Sequence, residues 1–266
     1  MRHHLQFRIA EHNVAVATDS DTVKDWLGHA FAVPDPEQSK GGDTHLRIEV
    51  ENGHGLPFVN FDVAANRAGD GGIVYERGDY TIRMDASCTE AWIGVHDLFA
   101  LKHAMMNVYS TYIVHAGWGL LVHSSCVAQN GKAYLFSGHS GAGKSTVAML
   151  SLPRPLLSDE ATVVKLEADG GATAFDSPFR SDLWTYHSME RCPLEGIFFL
   201  RQSPTVETKR MSEAKGFLSI LDKVFYWKYD AAETAEVFRM CRRLTAAVPV
   251  HELYFQKNDS FWEMIS

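Results

Sequence analysis

The chain has 266 residues, 45% of them hydrophobic and 22% charged, with 25 Lys and Arg against 33 Asp and Glu for a formal net charge of −8. This balance excludes a disordered, a collagen-like or a disulfide-stapled chain. It also argues against a global electrostatic grip on nucleic acid or an anionic membrane, while leaving room for a local phosphate pocket. The length fits one large domain or two modest ones.

The four cysteines, Cys88, Cys126, Cys192 and Cys241, form no C-x-x-C pair. They read as reduced thiols of a cytoplasmic protein. The first eight residues carry charges and no apolar h-region, so no secretory signal is expected. No stretch approaches the roughly 20 apolar residues of a membrane span.

Residues 1–95 read as a β-rich region, a surface suited to docking a substrate or partner. Residues 5–18 alternate in apolar stretches, and 21–31 read as a short helix capped by Ser20 or Asp21. Residues 44–50 alternate like a half-buried strand. Residues 73–76 and 80–84 flank Gly78-Asp79 as a hairpin. At residue 96 the texture changes. Residues 97–115 have apolar positions at helical spacing, with a Met and aromatic stripe read as core packing. Residues 120–128 and 132–136 flank Gln129-Asn130-Gly131, a strong hairpin signal. Later, 194–200 and 248–253 read as strands, and 212–226 and 231–247 as helices.

The informative segment is Gly138-His139-Ser140-Gly141-Ala142-Gly143-Lys144-Ser145. It matches G-x-x-x-x-G-K-[ST], set between an apolar run and a helix start that includes Thr146. Glycines let successive N–H groups turn inward around phosphate oxygens. Lys144 supplies a point charge for the β- and γ-phosphates, and the Ser145 hydroxyl can ligate Mg²⁺. An apolar run at 155–158 then ends in Asp159-Glu160, carboxylates placed to hold Mg²⁺ or accept a proton. His123 stands in the apolar run before the hairpin, where a histidine is ordinarily a satisfied core residue.

Together, His123, the loop from Gly138 to Ser145, and Leu156-Leu157-Ser158-Asp159-Glu160 resemble the catalytic core of the HPr kinase/phosphorylase family, most closely over residues 118–166. The resemblance implies an α/β (α+β) fold: a P-loop core of the HPr kinase and phosphoenolpyruvate carboxykinase type with a mixed sheet, over residues 96–266. It implies ATP and Mg²⁺ as cofactors and phosphoryl transfer to a serine hydroxyl. Asp159 would take the acceptor's proton, Glu160 would help hold Mg²⁺, and His123 would sit by the transferring phosphate. Homo-oligomers are frequent among such enzymes. The sequence departs from that pattern in having Asp-Glu rather than Asp-Asp, and Thr146 where the family has Glu. It lacks an E-I-R-G-L-G segment, so neither HPr as substrate nor the reverse reaction follows. Arg180 is a candidate cation in place of that segment.

The expected function is a P-loop kinase acting on a hydroxyl of a peptide, a protein or a small molecule such as free serine. The alternative is a nucleotide-dependent binding or regulatory module without transfer. No nucleic acid or membrane partner is expected.

Overall fold

The computed structural model describes residues 1–31, 43–181 and 189–265. The chain divides into two compact units, Met1–Gly117 with Tyr226–Glu236, and Trp118–Phe225 with Val237–Ser266.

The first unit begins with β1 (His3–Ile9) and β2 (His12–Thr18), joined at Ala10, whose φ of 51° makes the tight turn. Helix α1 (Asp21–Ala30) follows, with the Ser20 side chain accepting the Val23 N–H. Then come β3 (Leu46–Asn52), β4 (Ala64–Arg67), β5 (Ile73–Arg77), β6 (Tyr80–Met84), β7 (Glu90–Val95) and α2 (Leu98–His115). The strands form one seven-stranded mixed sheet in the order β1-β2-β3-β7-β6-β5-β4. Its parallel pairs are β2–β3 and β3–β7. The 73–84 hairpin lies where the sequence places it. Strands β4 and β7 had no alternating signature strong enough to read.

Helix α2 starts at Asp97, whose carboxylate accepts the Ala100 N–H. Thirteen of its residues are buried, including Met105, Met106 and Tyr109. The stripe is therefore core. A helix apolar on nearly all sides must be enclosed rather than laid on a surface. At the β5–β6 turn, Arg77 and Asp79 form a bidentate pair at 2.6 and 2.8 Å, and both side chains are almost fully buried.

The second unit holds β8 (Gly119–His123), β9 (Ser125–Gln129), β10 (Lys132–Ser137), α3 (Lys144–Leu150), β11 (Leu156–Ser158), β12 (Ala161–Leu166), β13 (Ala172–Phe175), β14 (Arg191–Gln202), β15 (Glu207–Arg210) and α4 (Glu213–Leu221). Helix α5 (Ala231–Ala247) begins in the stretch counted with the first unit and continues in the second. β16 (Val250–Phe255) and α6 (Trp262–Ile265) complete the chain. The second sheet is also mixed, with nine strands: β11-β9-β10-β14-β13-β12-β8, extended by β16 beside β14 and β15 beside β16. Strands β10, β14 and β16 are mutually parallel neighbours.

Two local expectations need correction. The apolar run at 120–128 is two strands rather than one. It breaks at Ser124, with β8 pairing β12 while β9 pairs β10 and β11. The Ser124 hydroxyl is buried and bonds the Val122 carbonyl and Thr162 Oγ1. A polar side chain satisfied in this way lets the strand change partners without stranding a buried donor. The helix read at 212–226 stops at Leu221. The following residues instead cover the edge of β8, through a Val122–Val224 bridge and a bond from the Phe225 N–H to the Leu121 carbonyl.

Both units are thus mixed α/β, with a β-rich N-terminus. All four cysteines are buried and unbridged. Among the described residues no helix is long and apolar enough to cross a membrane.

Candidate functional site

Strand β10 ends at Ser137 and α3 begins at Lys144, so the glycine-rich loop is the connection from strand to helix. Gly141 and Gly143 hold φ values of 76° and 109°, which L side chains rarely adopt. Gly143 is also pressed on the ring of Phe255, where an added Cβ would lie 2.8 Å from Cζ. At Gly138 a Cβ would lie 2.7 Å from that of Ala142. The loop closes on itself through the Ala142 N–H and the His139 carbonyl, 3.1 Å apart, and the first helical bond runs from Val147 N–H to Gly143 O. Gln202, at the end of β14, donates its side-chain amide to the Gly141 carbonyl at 3.0 Å.

Under the loop lies an apolar cluster that includes Phe136, Ala142, Val147, Phe198, Leu253, Phe255, Phe261 and Trp262. The indole N–H of Trp262 donates to the Ser151 hydroxyl just past α3. Aromatic packing of this kind fixes the loop from below, while His139, Ser140, Gly141 and Ser145 remain exposed and Thr146 half-buried. His139 holds its Nδ1 2.7 Å from the Ser140 carbonyl, so its ring lies along the loop.

His123 ends β8. Its carbonyl accepts the Ser137 hydroxyl proton at 2.7 Å, which ties it to the start of the loop. Its N–H donates to the Lys223 carbonyl at 2.7 Å. The imidazole is pushed down to about 4, first by burial, then by the charges of Lys144 and Lys223. At neutral pH it is therefore an uncharged ring able to donate or accept one hydrogen bond. Lys144 is itself lowered by burial and by Lys223, with Glu160 acting in the opposite direction. The structure thus gathers His123, Lys144, Lys223 and Glu160 into one electrostatic group. Lys223 is the member that sequence reasoning missed. It stands in a stretch read as helix, about 80 residues after Lys144, and no local motif marks it. Its side chain is mostly buried and pairs with the exposed Asp222 at 2.7 Å.

Asp159 and Glu160 form the connection between β11 and β12. Because β11 and β10 both pair antiparallel with β9, the ends of β11 and β10 point the same way. The carboxylates therefore emerge at the same edge of the sheet as the glycine loop. Asp159 is 3% exposed. Its two oxygens accept the Ser181 N–H at 3.0 Å and the Ser181 hydroxyl at 2.9 Å. Glu160 is more accessible, and its carbonyl accepts the Ser124 N–H.

Arg180 does not join this group as an available cation. It is 2% exposed, donates to the Leu156 carbonyl at 2.9 Å, and pairs with Asp176 at 2.5 Å. A guanidinium committed to strand carbonyls and a carboxylate braces β11, and thereby the turn that carries Asp159. Its neighbour Asp182 lies outside the described residues.

Fold and loop define a mixed α/β protein with a braced glycine-rich connection at the carboxyl edge of a parallel strand trio. Comparison with known families then identifies it more narrowly. The family model described as "SynChlorMet cassette protein ScmC" matches residues 94–266, well over half of the chain. The chain belongs to that family. This corrects the resemblance drawn from the motifs, because no HPr kinase family matches the chain. The shared pieces, a glycine loop and an acidic turn, are short local solutions to phosphate chemistry and do not by themselves carry descent. No curated protein matches the sequence.

Proposed function

We propose that this protein is a Mg²⁺-dependent phosphotransferase that binds a nucleoside triphosphate on the 138–146 loop and transfers a phosphoryl group to a hydroxyl. The observation that carries the reading is the loop itself. Two glycines hold left-handed φ values, one of them is wedged against Phe255, and Lys144 starts the helix beyond. A backbone forced into that shape, at a cost that apolar packing offsets, is the form a phosphate cradle takes.

In this reading Lys144 and Lys223 face the β- and γ-phosphates, and their mutual repulsion is relieved when an anion arrives. His123, uncharged beforehand, donates a hydrogen bond to a phosphoryl oxygen. The hydroxyl of Ser145 and the carboxylate of Glu160 are hard oxygen donors of the kind Mg²⁺ takes. Such an ion draws its other ligands from phosphates and water, so a protein-only cluster is not required. Among the described residues no group of three His, Cys, Asp or Glu is arranged as one. Magnesium, when bound, offsets charge on the phosphates. Asp159, oriented by Ser181 and by the strand that Arg180 braces, receives the acceptor hydroxyl's hydrogen bond. Most of the rate enhancement is then positioning and electrostatics. The acceptor is the serine-type hydroxyl of a peptide, protein or small molecule.

A second reading has one observation in its favour. Asp159 already accepts two hydrogen bonds from Ser181. If these are permanent, the protein binds nucleotide without transfer and acts as a regulatory module. Labelled ATP with Mg²⁺ and a panel of hydroxyl acceptors decides between them. Label should pass to an acceptor with the wild type and fail to pass with Asp159→Asn, while nucleotide binding persists in both. Binding without transfer to any acceptor selects the second reading. Absence of binding to ATP, ADP and GTP ends both.

A further inference from the structure

The cation group lies on one flank of the glycine loop, and the opposite flank opens into a separate cleft of about 500 Å³. Its walls are Gly143 and Thr146 on the loop side, Gln202 and Ser203 at the end of β14, and Gln256 and Lys257 beyond β16. Phe255, on which Gly143 is pressed, also faces it. These three segments meet for a topological reason. β10, β14 and β16 are parallel neighbours, so the chain leaves all three at the same edge. Crevices outside the carboxyl ends of parallel strands are where open α/β sheets bind ligands. The volume falls within the range of small-molecule sites.

We infer that this cleft receives the nucleoside, base and ribose, of a nucleotide whose phosphates lie on the loop. The inference rests on the reading of the loop as a phosphate cradle and adds where the rest of the ligand goes. Three observations support it. The cleft shares Gly143 and Thr146 with the loop, so a chain of phosphates passing Lys144 toward Thr146 leads into it. Its walls are built and not merely open. The Ser203 N–H donates to the Phe255 carbonyl at 3.0 Å, and the Gln256 side-chain amide bonds the Pro204 carbonyl, so the β14 and β16 ends are tied together across its floor. Its polar side chains are the neutral amides Gln202 and Gln256 and the hydroxyls of Thr146 and Ser203, with Lys257 as its cation. Amides and hydroxyls suit a ribose and the mixed donor and acceptor edge of a base. The acceptor, in contrast, must reach Asp159 at the other flank, so the two ligands do not compete for space.

The experiment is calorimetric titration with ADP, GDP and inorganic pyrophosphate, each with Mg²⁺, of the wild type and two variants. Gln256→Trp fills the cleft from one wall and Ser203→Trp from the other. The wild type should bind at least one of the two nucleotides more tightly than pyrophosphate. Both variants should lose about 10-fold or more in that nucleotide's affinity and keep pyrophosphate affinity within about twofold, which also shows that the loop is folded. Nucleotide affinity unchanged in both variants overturns the inference. So does an equal loss of pyrophosphate and nucleotide, since the loop and not the nucleoside would then be affected. A wild type that binds pyrophosphate as tightly as either nucleotide overturns the inference and leaves the proposed phosphate cradle standing. A wild type that binds none of the three overturns the cradle as well.

Discussion

The two units treat charge in opposite ways. In the first, the buried Arg77 is matched at once by Asp79, with two short hydrogen bonds and the Tyr80 ring 4.4 Å from the guanidinium carbon. In the second, burial and the nearby charge of Lys223 lower the protonation of Lys144, and burial with both lysines depresses His123, with Glu160 and the exposed Asp222 as partial relief. A compensated pair belongs to the structure of its sheet. A group of like charges held together by strand pairing costs stability, and that cost is recovered when an anion binds.

Four measurements bear on that contrast, the largest effect first. Asp79→Ala leaves a buried guanidinium without its partner and should destabilise the protein by about 3–5 kcal/mol in urea unfolding. A loss below about 1 kcal/mol would mean that the pair is not what satisfies Arg77. Gly143→Ala forces a side chain into a left-handed backbone position and against Phe255. It should cost about 1–2 kcal/mol from the backbone alone, and ATP binding should fall with it. Lys223→Met should weaken Mg·ATP binding by about 10-fold, near 1.4 kcal/mol. The same change should leave the thermal midpoint equal or slightly higher, because a repulsion is removed. A lower midpoint with unchanged binding would make Lys223 a structural lysine only.

The smallest effect is in pH. His123 has its folded value near 4, below the ordinary 6.5. The unfolded chain therefore binds the proton more readily. The stabilisation is complete above about pH 6.5 and is lost as pH falls toward 4. Discounted for partial exposure, it amounts to something on the order of 1 kcal/mol. The charged groups acting on the ring are Lys144 and Lys223, and the slope should be visible in urea midpoints at pH 7 and 4.5. It should flatten in His123→Asn.

Much of this was legible beforehand. The Asn130-Gly131 turn, α2 and the glycine loop all rest on local rules: turn residues that need positive φ, helical periodicity, and a motif whose residues are neighbours in sequence. Asn130 and Gly131, with φ of 53° and 74°, form the turn that Asn-Gly predicts. What failed did so where a partner distant in sequence decides. Arg180 looked available for a phosphate until Asp176 and the carbonyls of β11 were seen to hold it. Lys223 looked like part of a helix until β8 paired with the residues after it. The family resemblance failed for a related reason: motifs of a few residues converge more easily than whole chains do.

The sequence alone determined the mixed α/β character, the β-rich start and the glycine loop with its lysine, because backbone stereochemistry and side-chain period act over a few residues. Only the tertiary structure decided which charges share a space, that His123 is uncharged at neutral pH, and that three parallel strand ends enclose a cleft beside the loop. Those are distances between residues 20 to 120 positions apart in the chain. Strand pairing sets them, and no local pattern encodes it.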